Sequence, residues 1–392
     1  MIRRFAADFG GLYAANGLVG FIFAATGPVA IILAVGAQGG LGESDLSSWI
    51  FGSFFINGLL SIAFCLFYRQ PLVFFWSIPG TVLVGPALGH LSFPEVIGAF
   101  IATGVLMMAL GLSGWVRRCT EAAPMPIVMA MVAGVFLRFG TGLVHAVRDD
   151  IAVVAPMVAV FIFLSFFRQA GRRLPPLIGA MVIGIVSVFL FDKYNPGAIA
   201  LQLAPPSLYM PAFSWQAMIE LVVPLAITVL VVQNGQGFAV LSAAGHKPPI
   251  DAIAVACGAG SIVTAFVGSV STCLTGPVNA IISASGEKHR HYTAGVVVGL
   301  LALVFGILAP LFVRLLLSTP PAFIAALGGL AMLRVLQTAF GVAFGGKFAL
   351  GALVTFLVTV ADVPIFNIGA AFWGLVIGFA ISWLLERRDF KD

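Results

Sequence analysis

Fourteen apolar runs follow one another along this chain, at residues 12–36, 47–67, 71–89, 94–113, 124–145, 150–167, 175–191, 214–236, 249–268, 269–285, 292–316, 320–343, 347–361 and 366–385. A membrane-spanning helix needs about 20 predominantly apolar residues, and a bilayer admits only elements that satisfy their own backbone hydrogen bonds. The runs therefore read as spans, two of them short. The expected fold class is an all-α polytopic membrane protein. Composition agrees, because 60% of the 392 residues are hydrophobic and 9% are charged, against about 25% charged in a soluble domain. Arg3 and Arg4 resemble the start of a signal peptide, but the run after them is too long and lacks a small-residue cleavage site. It reads as the first span.

The net charge of +5 does not point to nucleic acid. The basic residues stand singly or in pairs between apolar runs, with no basic face interleaved with aromatics. They set topology instead, since Lys and Arg are retained in cytoplasmic loops. With the N-terminus inside, the inner loops collect Arg3, Arg4, Arg69, Arg117, Arg118, Arg168, Arg172, Arg173, Lys247, Lys288, Arg290, Lys347, Arg387, Arg388 and Lys391. The outer loops hold only Arg148, Lys193 and Arg314. Both termini are thus expected in the cytoplasm, with an even number of crossings. Cys65, Cys119, Cys257 and Cys273 show neither CxxC spacing nor clustered histidines, so neither a disulfide framework nor a metal site is indicated. No cofactor is called for.

A proline-rich stretch at 192–213 divides the chain near its midpoint into residues 1–191 and 214–392. Sliding the second half back by 196 residues sets Pro28 on Pro224, and Pro124 and Arg138 on Pro320 and Arg334. Two matches at one offset indicate an internal repeat. Seven spans per half is an odd number, so the second half lies upside down relative to the first. Inverted repeats are the architecture of secondary transporters.

Two corresponding runs, the third and the tenth, carry too many breakers for an ordinary span. "FWSIPGTVLVGPALG" at 75–89 reads as an extended piece over Phe74, Phe75 and Trp76, then a half-helix from near Pro79. "VGSVSTCLTGPVNAIISASG" at 267–286 reads as an extended piece around 270–273, then a half-helix from near Thr275 or Gly276. Their best local register sets Gly85-Pro86 on Gly276-Pro277, an offset of 191. Helix N-termini offer unpaired N–H groups and positive dipole ends, so two of them meeting would cradle an anion. Ser77, Gly80, Thr81, Thr272, Thr275 and Gly276 are the natural lining, with Thr81 and Thr275 expected in one shared cavity. The alternative is that these glycines and prolines only allow close helix packing.

"VVQNGQG" at 231–237 ends the eighth run. Gln233, Asn234 and Gln236 either bind a carboxylate or pair between helices, and Asn279 carries the same two readings. Glu220, inside the eighth run, is a candidate proton carrier or an outer-interface carboxylate. Asp251 and Asp362 read as caps or interface groups, and His90 as a loop residue. Arg138 and Arg334 fall at opposite mouths, either to attract anions or simply to snorkel.

Taken together, "SSWIFGSFFINGLLSIAFCLFYRQPL", "FWSIPGTVLVGPAL", "MPIVMAMVAGVFLRFG" and "VVQNGQGFAVLSAAGHKPP" resemble the BenE family of bacterial benzoate transporters. The resemblance covers nearly the whole chain. It implies benzoate uptake with protons across the bacterial inner membrane, on a fold similar to uracil, xanthine and SulP-type transporters. Those have seven plus seven inverted spans arranged as a core and a gate domain, with substrate between the two half-helices and the first and eighth spans. The acids that uracil-type carriers use have no counterpart at Val232, Gln233 or Thr275 to Asn279, which suits an anionic substrate. The expected partners are a benzoate-like anion, a proton and the bilayer, with room for a homodimer. Carriage or uncoupled conductance of another small anion, or of a nucleobase, is the competing function; nothing in the chain suggests an enzyme.

Overall fold

The computed structural model describes residues 2–116, 118, 124–167, 174–194, 203–284, 286–363, 365 and 370–390. Arg117, Arg168, Arg172, Arg173 and Lys391, used above for orientation, lie outside them, as do Cys119 and residues 195–202 of the midpoint stretch.

Each apolar run falls on a helical element. Among the described residues, seven helices are long and apolar enough to cross a membrane: Gly11–Gln38, Glu43–Tyr68, Phe93–Leu112, Met125–Asp149, Trp215–Ala243, Lys288–Ile307 and Pro321–Ala343. Shorter apolar helices are Ile78–Ala87, Ile151–Phe166, Pro176–Leu190, Ile250–Ala265, Ala349–Ala361 and Ala370–Leu385. The run at 292–316 is not one helix: it ends at Ile307 and restarts as Ala309–Leu317, because Pro310 cannot donate to the preceding turn. The helix expected to end at 236 runs on to Ala243, so the Gln233 to Gln236 cluster sits within it.

Proline also shapes the two helices that carry the aligned Pro28 and Pro224. Gly11–Gln38 is interrupted at Thr26, whose backbone is non-helical (φ −100°, ψ −103°), and resumes with Pro28 in its first turn. Trp215–Ala243 stays continuous but widens into π-helical turns at Met218–Val222 and Thr228–Gln233, on either side of Pro224. Such turns re-aim side chains and concentrate at functional sites.

The helices pack in two groups, each drawn from both halves of the chain. In one, Phe93–Leu112 packs on Ile250–Ala265, and Lys288–Ile307 lies against Glu43–Tyr68 and the start of the first helix. Gly104 and Gly258 let the first of these pairs touch backbone to backbone; a Cβ at either would come within 2.8 Å of the other's carbonyl oxygen. Small residues give membrane helices that approach. In the other group, Met125–Asp149 packs on Pro321–Ala343, Ala349–Ala361 on Ala370–Leu385, and Ile151–Phe166 on Pro176–Leu190. The midpoint stretch forms neither helix nor strand over its described residues 203–213. Backbone bonds tack it to the first group, from Ala204 to Ile307, Tyr209 to Phe266 and Ala212 to Pro94.

At the centre of the first group lie the chain's two strands among the described residues, β1 (Phe74–Trp76) and β2 (Thr272–Leu274), fully buried and antiparallel. Phe74 faces Leu274, Phe75 faces Cys273 and Trp76 faces Thr272.

Candidate functional site

Each strand leads directly into a short helix, β1 into Ile78–Ala87 and β2 into Gly276–Ile282. Antiparallel pairing brings the two helix starts to opposite ends of one ribbon. The ladder continues symmetrically beyond the strands, with Ser77 N–H donating to Ser271 O (2.9 Å) and Thr275 N–H to Val73 O (3.1 Å). Pro79 and Pro277 both occupy the first turn of their helix, where a missing N–H costs little. Ser77 thus corresponds to Thr275 and Pro79 to Pro277, an offset of 198. This corrects the offset of 191 expected above, which matched Gly-Pro pairs by identity; Pro86 in fact lies late in its helix.

Side chains from neighbouring helices satisfy the strand backbone that a bilayer could not. Ser61 Oγ accepts from Phe74 N–H (2.8 Å) and Ser261 Oγ from Thr272 N–H (2.9 Å). Asn234 Oδ1 accepts from Leu274 N–H (2.8 Å), and Asn279 bonds both the N–H and the C=O of Val73 (3.0 and 3.2 Å). Thr272 is committed through its hydroxyl to Asn57 Oδ1 (2.8 Å). Asn234, Asn279 and Thr272 are all fully buried and hold the ribbon together.

The two helix starts differ. Ser77 Oγ caps the first, accepting from Gly80 N–H (3.1 Å), whereas Thr275 makes no side-chain cap. Gln236 lies against the uncapped start: a Cβ on Gly276 would meet its side chain at 2.6 Å, so glycine is what admits it.

A cavity of about 790 Å³ opens beside this second start, between the two helix groups. Its walls are largely apolar, with Phe23, Phe75, Trp76, Met129, Phe136 and Phe161 among them. Polar groups reach it from Gln233, Gln236, Thr275, Thr338 and Arg334. Arg334 is the one charged side chain among the described residues of the wall, and no described carboxylate pairs with it. The geometry suits a flat apolar body with one anionic end.

Of the residues singled out in sequence, Gln233, Gln236, Thr275 and Arg334 line this cavity. Ser77, Gly80, Thr81, Asn234, Thr272, Gly276 and Asn279 stand behind its wall. Thr81 therefore does not share the cavity with Thr275. Its hydroxyl bonds back one turn to Ser77 O (3.0 Å) and the side chain is fully buried, the usual fate of a threonine inside a membrane helix.

The remaining candidates gather at the other end of Ile78–Ala87. His90, expected in a loop, sits in the turn after this helix and is not idle: its Nε2 lies 2.9 Å from Glu220 Oε2. Glu220 is buried. Arg138 Nη2 pairs with Asp362 Oδ2 at 3.2 Å, both partly exposed. Glu220, Arg138 and Asp362 all border one further pocket of about 20 Å³. Asp251 is an exposed residue in the first turn of its helix.

A second histidine contact, which sequence gave no reason to expect, joins His246 Nε2 to His291 Nδ1 (3.1 Å). His246 follows the Trp215–Ala243 helix, and burial, with the nearby His291 and Lys288, pulls its pKa down to about 4.

The family profile described as "Benzoate membrane transport protein" matches residues 11–384. A protein named benzoate membrane transport protein, from Acinetobacter baylyi, is 26% identical over 379 residues, covering 95% of this chain and 94% of its own. The inner membrane protein YdcO of Escherichia coli is 28% identical over 372 residues, 92% and 93% of the two chains. Among solved structures, the transmembrane domain of the cyanobacterial bicarbonate transporter BicA superposes with a TM-score of 0.65 at 15% identity, covering 95% of this chain and 98% of that one. SLC26A9 gives 0.68 at 16% identity, over 94% of this chain and 64% of its own. These likenesses show the fold, that of an integral multi-pass membrane protein. On the profile match across nearly its whole length, this chain belongs to the benzoate membrane transport protein family.

Proposed function

We infer that the protein is a secondary transporter that imports benzoate, or a close aromatic carboxylate, together with a proton across the bacterial inner membrane. The observation that carries this reading is the composition of the large cavity: aromatic walls, a polar corner of Thr275, Gln233 and Gln236, and, among the described residues, one cation, Arg334, with no described carboxylate partner. The carboxylate would face Thr275, Gln236 and the uncapped amides that follow Thr275, and the ring would lie against Phe23, Phe75 and Trp76. No described carboxylate shares the wall to repel it.

In this reading the fourteen helical elements are fourteen spans in two inverted halves. The group holding the ribbon is the core domain that carries substrate, and the group built on Met125–Asp149 and Pro321–Ala343 is the gate. Both termini are cytoplasmic. Asp8, Gln70, Lys247 and Arg290 support that sidedness, because Gln70 bonds Lys247 O and Arg290 bonds Asp8 O, gathering the inner loops at one end. Arg334 then marks the cytoplasmic mouth, and the state is inward-open. Glu220 remains the candidate for proton coupling.

Competition for labelled benzoate bound to purified protein tests the substrate class. Substituted benzoates should displace it and nucleobases should not; displacement by uracil but not by toluate would overturn the reading.

A further inference from the structure

The His90–Glu220 contact lies far from the cavity, yet two rigid elements join the two. Ile78–Ala87 begins at the cavity with Ile78 and Pro79 and ends three residues before His90. Trp215–Ala243 carries Glu220 and, thirteen residues later, Gln233, roughly 20 Å along the axis. His90 and Glu220 both belong to the helix group that holds the ribbon. Arg138 and Asp362 belong to the other group, at Met125–Asp149 and the end of Ala349–Ala361.

Where these meet, the pocket shared by Glu220, Arg138 and Asp362 measures about 20 Å³, room for about one water. This mouth is shut, whereas the cavity mouth at Arg334 is open. The pocket's other described walls are uncharged, being formed by Leu83, Pro86, Val135, Leu221, Thr359 and residues 370–372. Glu95, on Phe93–Leu112, is within electrostatic reach of His90, but Ser92 N–H and Oγ hold its carboxylate (2.9 and 2.7 Å). Among the described residues, the charges at this contact are Glu220 and His90 on one side and Arg138 and Asp362 on the other.

We propose that the His90–Glu220 pair is a proton-binding latch on the closed mouth. With Glu220 ionised, its carboxylate faces the Arg138 guanidinium across the small pocket and holds the two helix groups together. A proton taken from water on that side neutralises Glu220, removes the attraction, and lets the mouth open; its return to water restores the charge and the closure. His90 keeps the carboxyl oriented by the hydrogen bond between its Nε2 and Glu220 Oε2. This latch rests on the alternating-access transporter reading above and gives proton coupling a location separate from the substrate cavity.

Thiol accessibility tests it without relying on benzoate. Ala371→Cys places a reactive group on the pocket wall, and a membrane-impermeant methanethiosulfonate is added outside intact cells between pH 8 and pH 5.5. Rates are corrected for the thiolate fraction with a free-cysteine standard. Labelling should rise roughly tenfold on acidification, the size of an ordinary coupling between two states. Glu220→Gln should label fast at every pH, Arg138→Gln likewise, and Glu220→Asp should restore the pH dependence with a shifted midpoint. pH-independent labelling in the Ala371→Cys background, or an unchanged profile in Glu220→Gln, overturns the latch. A latch that labels as expected in a protein whose benzoate uptake ignores the pH gradient would instead contradict only the symport reading.

Discussion

Asn279 grips Val73 through both atoms of its amide, Oδ1 accepting from the Val73 N–H at 3.0 Å and Nδ2 donating to its C=O at 3.2 Å. Nothing else among the described residues satisfies that N–H. Asn279→Ala strands the buried Val73 N–H, at a cost of about 1–3 kcal/mol, while Thr275 N–H still serves the Val73 C=O; it should lower the melting temperature in detergent by a few degrees. The more conservative Asn279→Asp keeps an acceptor for the N–H and loses the donor, so it should fall between the two. Benzoate protection of either variant against heat should persist, because Asn279 stands behind the cavity wall.

Thr275 and Gln236 should behave oppositely. Thr275→Val and Gln236→Ala each remove one polar group facing the proposed carboxylate, where hydrogen bonds to charge are worth about 1.5–3 kcal/mol. Benzoate Kd by isothermal titration should rise roughly tenfold to a hundredfold, with melting temperature nearly unchanged. Thr81→Val serves as the comparison. Its hydroxyl is spent on Ser77 O, so its Kd should match the unsubstituted protein.

Arg334 stands at the open mouth without a described carboxylate partner. Arg334→Gln should slow benzoate association roughly tenfold at low salt, with the deficit shrinking as salt screens the charge. Stopped-flow quenching of tryptophan fluorescence gives the rate. Arg138→Gln should not reproduce this salt-dependent deficit, since Arg138 pairs with Asp362 at the other mouth.

His246 gives a pH signature of the opposite end. Its pKa is lowered to about 4 from an ordinary 6.5, so the folded protein keeps it neutral while the unfolded chain begins to bind a proton below about pH 6.5. Stability should be flat above pH 7 and fall as pH drops from about 6.5 to about 4. His246→Asn, which keeps a polar partner for His291 and cannot titrate, should flatten that part of the profile in thermal melts. A profile identical to the unsubstituted protein would remove His246 from the account.

How much of this was legible in the chain depends on the length scale of the signal. Helices were, because apolar length is a property of contiguous sequence; all fourteen runs fall on helical elements, but the breaks at Thr26 and at Pro310 and the continuation past 236 to Ala243 were not read from it. The strand-then-helix pieces at 74–87 and 272–282 were legible from their Gly and Pro density. Their mutual register was not. Matching Gly85-Pro86 to Gly276-Pro277 follows residue identity, while the fold aligns Pro79 with Pro277 by the role each plays in a first turn. For the site, polarity near the breaks pointed to Gln233, Gln236 and Thr275, but not to which amides would be consumed by the protein's own backbone. Asn234, Thr272 and Asn279 went to the ribbon through partners 40, 215 and 206 residues away. The His90–Glu220 contact spans 130 residues and crosses the midpoint stretch; nothing local to either residue announces it.

The central claim is that this cavity moves an aromatic carboxylate with a proton. Uptake of labelled benzoate into proteoliposomes under an imposed pH gradient, acidic outside, tests it most directly. The account predicts accumulation above the equilibrium level that collapses when a protonophore dissipates the gradient, and that is lost in Thr275→Val at low benzoate. Uptake that stops at equilibrium, at the same rate with or without the gradient, would contradict it.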